Sequence, residues 1–402
     1  MILIFLISIG WPLSPQNQTH PLGNNWGEYQ YYGSGSPYMH PGIDVMGITV
    51  GRPVYAVQRG IVKAWLTTQA QYHWRLAIAD TNISTDSVEA WLYAHIDPNQ
   101  YHKNVGDVVN AGDLIGYLVQ WPVTGFDHCH FARIKDIGAV WNTADWAFIQ
   151  NPLVIITPYD DTAKPVFENA YGNYKFAICN NNTSTYLNPP TVVTGNVDII
   201  AKIYDKTGIP LSQNPVWERM IPLRISYEIH GPQNVPEKLS FLFRGYLYYT
   251  SNVNVVYKND AVCTSRGDYE NRDFYFIVTN TDGDSLIEAT DANYSWNTTG
   301  FPPGNYWIVV TASDAAGNTT KDSMMVTIPG QYVAEYSSAV IKASNFGNFI
   351  KELSTLFIEN DARLYDINGR TVNIQTNPSA GVYFLIYKKD GQLCHKKIVI
   401  VK

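Results

Sequence analysis

The chain has 402 residues, a formal net charge of −7 and no long basic run, which leaves nucleic-acid binding with little support. Hydrophobic residues make up 45% and charged residues 16%, the balance of a folded protein too long for a single core, so two or three domains are expected. Its 28 tyrosines and 11 tryptophans favour sheets and turns over helices, and the expected fold class is mainly β.

The first apolar run, Ile2 to Ile9, is far shorter than the roughly 20 residues a bilayer-spanning helix needs. It reads as the core of a signal peptide over residues 1–14, ending near Ser14, although the usual basic residues before it are missing. A buried first strand is the other reading. No other segment is a candidate membrane span.

Residues 25–157 form one block of short strands. "PVYAVQRGIVKAWLT", "WRLAIAD", "EAWLYAHI" and "CHFARI" mix β-branched and aromatic residues with partial two-residue alternation. "VGRP" and "NAGD" mark turns between them. After "TPYDDTAKP", residues 160–330 carry alternating segments such as "IPLRISYEIHG" and "GNYWIVVTASDAAGNTTKDSMMVTI", the pattern of an immunoglobulin-like β-sandwich. No cluster of acids, histidines or nucleophiles stands out there, so a spacer or binding module is expected. Residues 336–402 form a small β-domain in which Asn368-Gly369 and Asp390-Gly391 signal two-residue hairpins. The four cysteines, Cys129, Cys179, Cys263 and Cys394, form no CxxC pair, and Cys179 and Cys263 could bridge in an oxidising compartment.

Four of the nine histidines fall into short motifs. In "FDHCHF", strand alternation points His128 and His130 the same way and Cys129 into the opposite face. In "HPGID", Pro41 holds His40 extended and Gly42 supplies freedom for a sharp turn, so His40 and Asp44 can face one point without a helix. His95, in "LYAHID", ends a strand and can approach the same place. Two nitrogen ligands and one carboxylate, with a fourth position open to water, are what a catalytic zinc requires. Taken singly, each motif also fits a hydrogen-bonded turn, a strand brace or surface histidines. His20, His73, His102, His230 and His395 have no motif context.

"HPGID", "YAH" and "HCH", in this order with "GRPVYAVQRGIVKA" and "VGDVVNAGDLIG" between them, are similar to the lysostaphin-type (LytM-like, beta-lytic) zinc metallopeptidases over roughly residues 36–135. The resemblance implies an antiparallel-sheet peptidase domain with a groove over residues 25–157. It also implies Zn2+ on His40, Asp44 and His130, catalytic work by His95 and His128, and peptidoglycan or peptide as substrate. Zinc lowers the pKa of bound water toward about 7. His128 is then expected to take or steer the water's proton, and His95, in protonated form, to donate to the oxyanion. A tyrosine among Tyr31, Tyr32 and Tyr38 could add a donor. The sequence departs from the family in "WPVTGFDHCHF", which replaces a Gly/Ser-rich loop, and in Cys129 and Ala132 where leucine and glutamate are usual. The other function considered is an inactive peptidase fold serving as a binding or scaffold protein, but all five site positions are filled. The tail, through "LYDINGR", "AGVYFLIY" and "KKIVIVK", resembles type IX secretion sorting domains, without their usual Asn-Pro-Phe opening strand. That likeness implies export through the periplasm to the surface or medium of a Gram-negative bacterium, with secretion machinery as a partner.

Overall fold

Eleven short strands build the first block. They are β1 Tyr29–Gln30, β2 Tyr38–Met39, β3 Ile43–Met46, β4 Pro53–Tyr55, β5 Gly60–Leu66, β6 Arg75–Ala79, β7 Glu89–Ala94, β8 Val108–Val109, β9 Leu114–Tyr117, β10 His128–Lys135 and β11 Ile149–Gln150. The structure is a computed structural model, describing residues 8–47, 51–67, 70–80, 89–97, 99–100, 103–135, 149–211, 214–245, 252–330, 333–334, 339–342, 362–373, 379–389 and 392–401. The main sheet runs β11-β10-β7-β6-β5-β8, with β3 also on β10, and every pairing is antiparallel. Phe131 of β10 stacks on Trp91 of β7 at 5.2 Å between ring centroids, and both are fully buried. These large rings fix the register on which the histidines depend.

Residues 8–14 are built into this block. Ile9 exchanges backbone hydrogen bonds with Ile155 and Thr157, Trp11 donates its indole N–H to the Pro158 carbonyl at 2.7 Å, and Leu13 is fully buried beside Val54. Cleavage near Ser14 would strip these contacts, so the packing fits a buried first segment from Ile9 onward. Residues 1–7 of the expected leader lie outside the described residues.

The middle region holds β12 Val166–Glu168, β13 Phe176–Asn180, β14 Asn196–Tyr204, β15 Arg224–His230, β16 Val235–Leu242, β17 Arg266–Gly267, β18 Arg272–Asp273, β19 Tyr275–Ile277, β20 Trp296–Asn297, β21 Gly304–Ser313 and β22 Thr319–Ile328. One sheet centres on β14, which pairs with β12, β13, β19 and β20; the other runs β16-β15-β21-β22. Burial explains their different sequence patterns. Val197 to Ala201 of β14 are buried without interruption, whereas β21 buries Tyr306, Ile308, Val310 and Ala312 and leaves Trp307 exposed. Cys179 and Cys263 share one buried apolar cluster with Ala170, Ala177, Ile200 and Ile277 as free thiols, so the bridge considered from the sequence is not formed.

The chain forms two compact units, residues 1–299 with 306–326, and residues 300–305 with 327–402. The first holds both the 25–157 block and most of the middle region. The second carries β23 Val333–Ala334, β24 Ala339–Lys342, β25 Arg363–Asp366, β26 Gly381–Lys389 and β27 Gln392–Val401. Here β25, β26 and β27 pair antiparallel, with β23 and β24 parallel on β27. The Asn368-Gly369 turn differs from expectation. Asp366 and Arg370 bond across a three-residue loop, and Gly369 sits in the left-handed region at φ 77°. That is the loop in which a tight turn is completed by a left-handed glycine. Asp390-Gly391 lies outside the described residues, between the paired Lys389 and Gln392.

Within the first unit the middle region grips the segment from Gly23 to Tyr31. The Arg272 guanidinium, almost fully buried, donates to the carbonyls of Gly23, Trp217 (3.1 Å) and Arg219 (3.0 Å) and stands 3.5 Å from the buried Glu28 carboxylate. Tyr257 donates to the Gly27 carbonyl at 2.8 Å, and Asn25 donates to the Ile221 carbonyl at 3.0 Å. At Gly267 a Cβ would stand 1.7 Å from the Tyr29 carbonyl oxygen, so only glycine permits this approach. Gly267→Ala should therefore lower stability by about 3 kcal/mol or more in urea unfolding. Gly245→Ala, whose Cβ would meet only Gln150 Cγ at 3.7 Å, serves as the near-neutral control. Equal stability of the two variants would contradict this docking.

Candidate metal centre

Register assembles the site. Antiparallel pairing sets His130 of β10 opposite Asp44 of β3 on one edge and opposite Ala94 of β7 on the other. Directly paired residues hold their Cβ atoms about 5 Å apart, so Asp44 and His130 meet across the ladder. His95 follows Ala94 at the strand end, in a left-handed conformation (φ 65°) uncommon outside glycine. Cys129 pairs with Val45 and is fully buried, and burial raises its thiol above the usual range, so it stays protonated at neutral pH.

Three donor atoms close into a triangle. His40 Nε2 stands 3.0 Å from His130 Nδ1 and 3.2 Å from Asp44 Oδ1, and His130 Nδ1 is 3.0 Å from the same oxygen. Donors bound tetrahedrally to zinc at 2.0–2.1 Å lie about 3.3 Å apart, so the triangle matches one face of such a shell. His40, Asp44 and His130 together could hold a metal ion. Among the described residues no lysine or arginine pairs with the buried Asp44 carboxylate; imidazoles and an amide surround it. His128 Nε2 stands just outside the triangle, 3.5 Å from Asp44 Oδ1.

Gly42 contributes space rather than the turn freedom expected of it. Its φ is not among the positive values, but a Cβ there would stand 2.7 Å from His130 Nε2 and 2.8 Å from the Phe131 carbonyl. The His130 ring lies against a bare backbone.

Several groups that hold the site carry no motif. Asn24 Nδ2 donates to Asp44 Oδ2 at 2.5 Å, which turns Oδ1 toward the histidines. The Asn25 carbonyl stands 3.1 Å from His40 Nδ1; that contact places the proton on Nδ1 and frees Nε2 as a ligand. Glu28, itself beside Arg272, accepts the Asn25 N–H at 3.0 Å. His128 Nδ1 lies 2.6 Å from the Phe126 carbonyl, and His95 Nδ1 is held by the Tyr72 carbonyl, so each presents Nε2 inward. Above these two rings sits Trp121, at 4.5 Å from His95 and 4.7 Å from His128 between centroids. Its indole N–H donates to the Tyr269 hydroxyl at 2.9 Å, and its backbone N–H to Asp127 Oδ1 at 2.7 Å. Of the three tyrosines considered, Tyr32 packs on Tyr269 at 4.9 Å. The "WPVTGFDH" loop is thus braced by Tyr269, Trp217 and Leu211 of the middle region, which accounts for its apolar departure from a Gly/Ser-rich loop.

Charge is arranged for a cation. Burial opposes ionisation of Asp44, but His128, His40 and the hydrogen bonds from His130 and His40 hold its carboxyl well below 3.8. Burial likewise opposes charge on His40, yet Asp44 overcomes it and raises that imidazole above 6.5. Burial lowers His128, and lowers His130 to about 4. His95 is pushed well below 6.5 by burial and then by His128 and His130. At neutral pH the set is therefore one carboxylate among mostly neutral imidazoles, the state metal binding needs. The protonated His95 expected for oxyanion donation is not the resting form: its Nδ1–H is spent on Tyr72, and Nε2 is an acceptor.

Zinc must displace the proton that Asp44 stabilises on His40. Affinity should rise by up to about tenfold per pH unit until the pH passes the raised His40 value, above 6.5, and level off beyond it. Competition with a chromophoric chelator reads this directly, and a flat profile below 6.5 would contradict the electrostatics. In the same assay, Asn24→Ala and Gly42→Ala should each weaken zinc by about 10- to 100-fold.

No family model matches this chain, and no curated protein does. Among solved structures, the chain is similar to the catalytic domain of the antimicrobial peptidase lysostaphin from Staphylococcus simulans, with 24% identity and a TM-score of 0.26 over 33% of this chain and 90% of that one. It is also similar to the catalytic domain of a prophage-encoded M23 protein, EnpA, from Enterococcus faecalis, with 20% identity and a TM-score of 0.22 over 29% of this chain and 84% of that one. A zinc-containing peptidase from Vibrio cholerae is similar at 19% identity and a TM-score of 0.19, over 31% of this chain and 43% of that one.

Proposed function

We propose that this protein is a zinc-dependent endopeptidase that hydrolyses peptide bonds, in peptidoglycan cross-bridges or glycine-rich peptides. The observation that carries the reading is the buried triangle of His40 Nε2, Asp44 Oδ1 and His130 Nδ1, flanked by the inward Nε2 atoms of His128 and His95. A structural metal site is closed by four protein ligands, whereas a catalytic one keeps three and an open position. When bound, zinc supplies Lewis-acid activation of water and of the scissile carbonyl at neutral pH.

The chain's own groups then divide the proton work. His128, neutral at neutral pH and fixed through Nδ1 to the Phe126 carbonyl, offers Nε2 as the base that accepts the water proton and returns it to the leaving amine. His95, neutral and fixed to the Tyr72 carbonyl, orients the reacting groups through Nε2 and donates there only after gaining a proton. Trp121, with Tyr269 and Tyr32, walls one side of the site and favours a thin, flexible peptide such as a glycyl segment. Export also belongs to this proposal. The sorting-like tail supports secretion to the surface of a Gram-negative bacterium, by machinery that engages residues 336–402. Among the described residues no helix is long and apolar enough to cross a membrane.

Digestion of defined peptidoglycan fragments and glycyl peptides, read by mass spectrometry, tests the reading. Zinc-loaded protein should cleave them, chelation should abolish cleavage, and His130→Ala should be inactive. His128→Ala should lose about 10²- to 10⁴-fold in rate while keeping its zinc. Because burial lowers His128, the acidic limb of kcat/KM should fall below 6.5. Zinc-loaded protein that cleaves none of these substrates would favour the inactive binding module.

A further inference from the structure

A second cluster of donors shares no residue with the histidine site. Asp161 comes from the connection after the first block, Asp205 directly follows β14, and Asp314 directly follows β21. All three are buried, and one carboxylate oxygen from each lies within 4.8 Å of the others. Their partners are neutral. Asp161 accepts from the Ala163 N–H at 2.8 Å and the Tyr159 hydroxyl at 3.0 Å. Asp314 accepts from the Asn318 N–H at 2.9 Å and the Asn318 amide at 2.8 Å, and that amide also donates to the Asp161 carbonyl at 2.8 Å. Among the described residues none of the three has a cationic partner, and Lys206, next to Asp205, pairs with Glu218 instead.

The second observation is at Asp205. It is 2% exposed, and its Oδ1 is buried with no hydrogen-bond partner. A carboxylate oxygen so placed lacks the compensation that burial demands. Burial and then the Asp314 and Asp161 charges push the Asp205 carboxyl well above the usual range, and burial pushes Asp161 up to about 6. Such a cluster is relieved by taking up protons or by binding a cation.

We propose that Asp161, Asp205 and Asp314 bind a calcium ion that ties the connecting segment to the ends of β14 and β21. Oxygens held 2.3–2.6 Å from one ion can lie up to about 5 Å apart, and these lie within 4.8 Å of one another. The donor set is all oxygen, which suits a hard cation and sets the site apart from the nitrogen-rich zinc triangle. The three carboxylates come from three separate segments, and calcium accepts variable coordination where magnesium demands a near-ideal octahedron, so calcium is the better fit.

The test uses the full chain, stripped on a chelating resin and reloaded with one equivalent of zinc. Calorimetric titration with calcium chloride at neutral pH should show one bound calcium per chain, and calcium should raise the thermal transition. Asp205→Asn should weaken calcium binding by at least about tenfold. Without calcium the variant should melt no lower than the wild type, because it removes one buried charge; a merely structural role would lower its transition. Should it fail to fold, Asp161→Asn gives the same readout. No binding to the wild type at about 10 mM calcium, well above the dissociation constants of weak extracellular sites, would overturn the proposal. So would unchanged calcium binding in the variant, or a stability that depends on protonation of the cluster and ignores calcium. Equal binding of magnesium would overturn the choice of calcium.

Discussion

A single buried carboxylate organises the first block. Asp44 is fully enclosed, and the groups around it are imidazoles and an amide rather than a lysine or arginine. An ionised carboxylate left without positive charge in such a place costs several kcal/mol. Either the neighbouring His40 keeps a proton or a cation sits among the donors. The backbone makes the second solution available, since β3 and β10 fix Asp44 opposite His130 and the short "HPGID" turn brings His40 to the same oxygen.

The groups that aim those donors belong to a segment that the histidine motifs do not include. Asn24 and Asn25 set the outer oxygen of Asp44 and the tautomer of His40. Asn25 is held by Glu28 and the Ile221 carbonyl, and Arg272 stands beside Glu28 and bonds the Gly23 carbonyl, so two of the holding groups come from the middle region. Trp121 and Tyr269 repeat the arrangement on the other side of the site, where a loop of the first block leans on a ring of the middle one. The middle region therefore braces both the candidate metal centre and the Trp121 loop beside it, so it does more than space domains apart.

Much of this was legible from residues whose roles depend on local periodicity. The parity of "HCH" gives the facing of His128 and His130 and the burial of Cys129, because strand alternation needs no tertiary information. His40, Asp44, His95, His128 and His130 lie close together in space. What could not be read was whatever depends on distant approach. Gly42 looks like a turn glycine in sequence, and only the arrival of the His130 ring from 88 residues away shows why a side chain is excluded. Asn24, Asn25, Trp121, Tyr269 and Arg272 act through contacts across long loops, with no spacing rule to mark them. The protonation of His95 was misjudged for a related reason: its motif does not reveal Tyr72, which takes its Nδ1–H, or the two other imidazoles that oppose its charge. The three buried aspartates are scattered over more than 150 residues and form no motif at all.

X-ray absorption at the zinc edge of the purified 402-residue chain tests the central claim most directly. Ligation by His40, Asp44 and His130 predicts one zinc per chain with only nitrogen and oxygen neighbours at about 2.0–2.1 Å, two of them showing imidazole scattering. A sulfur neighbour at about 2.3 Å, which would put Cys129 on the metal, would contradict the account, as would a protein that takes up no zinc.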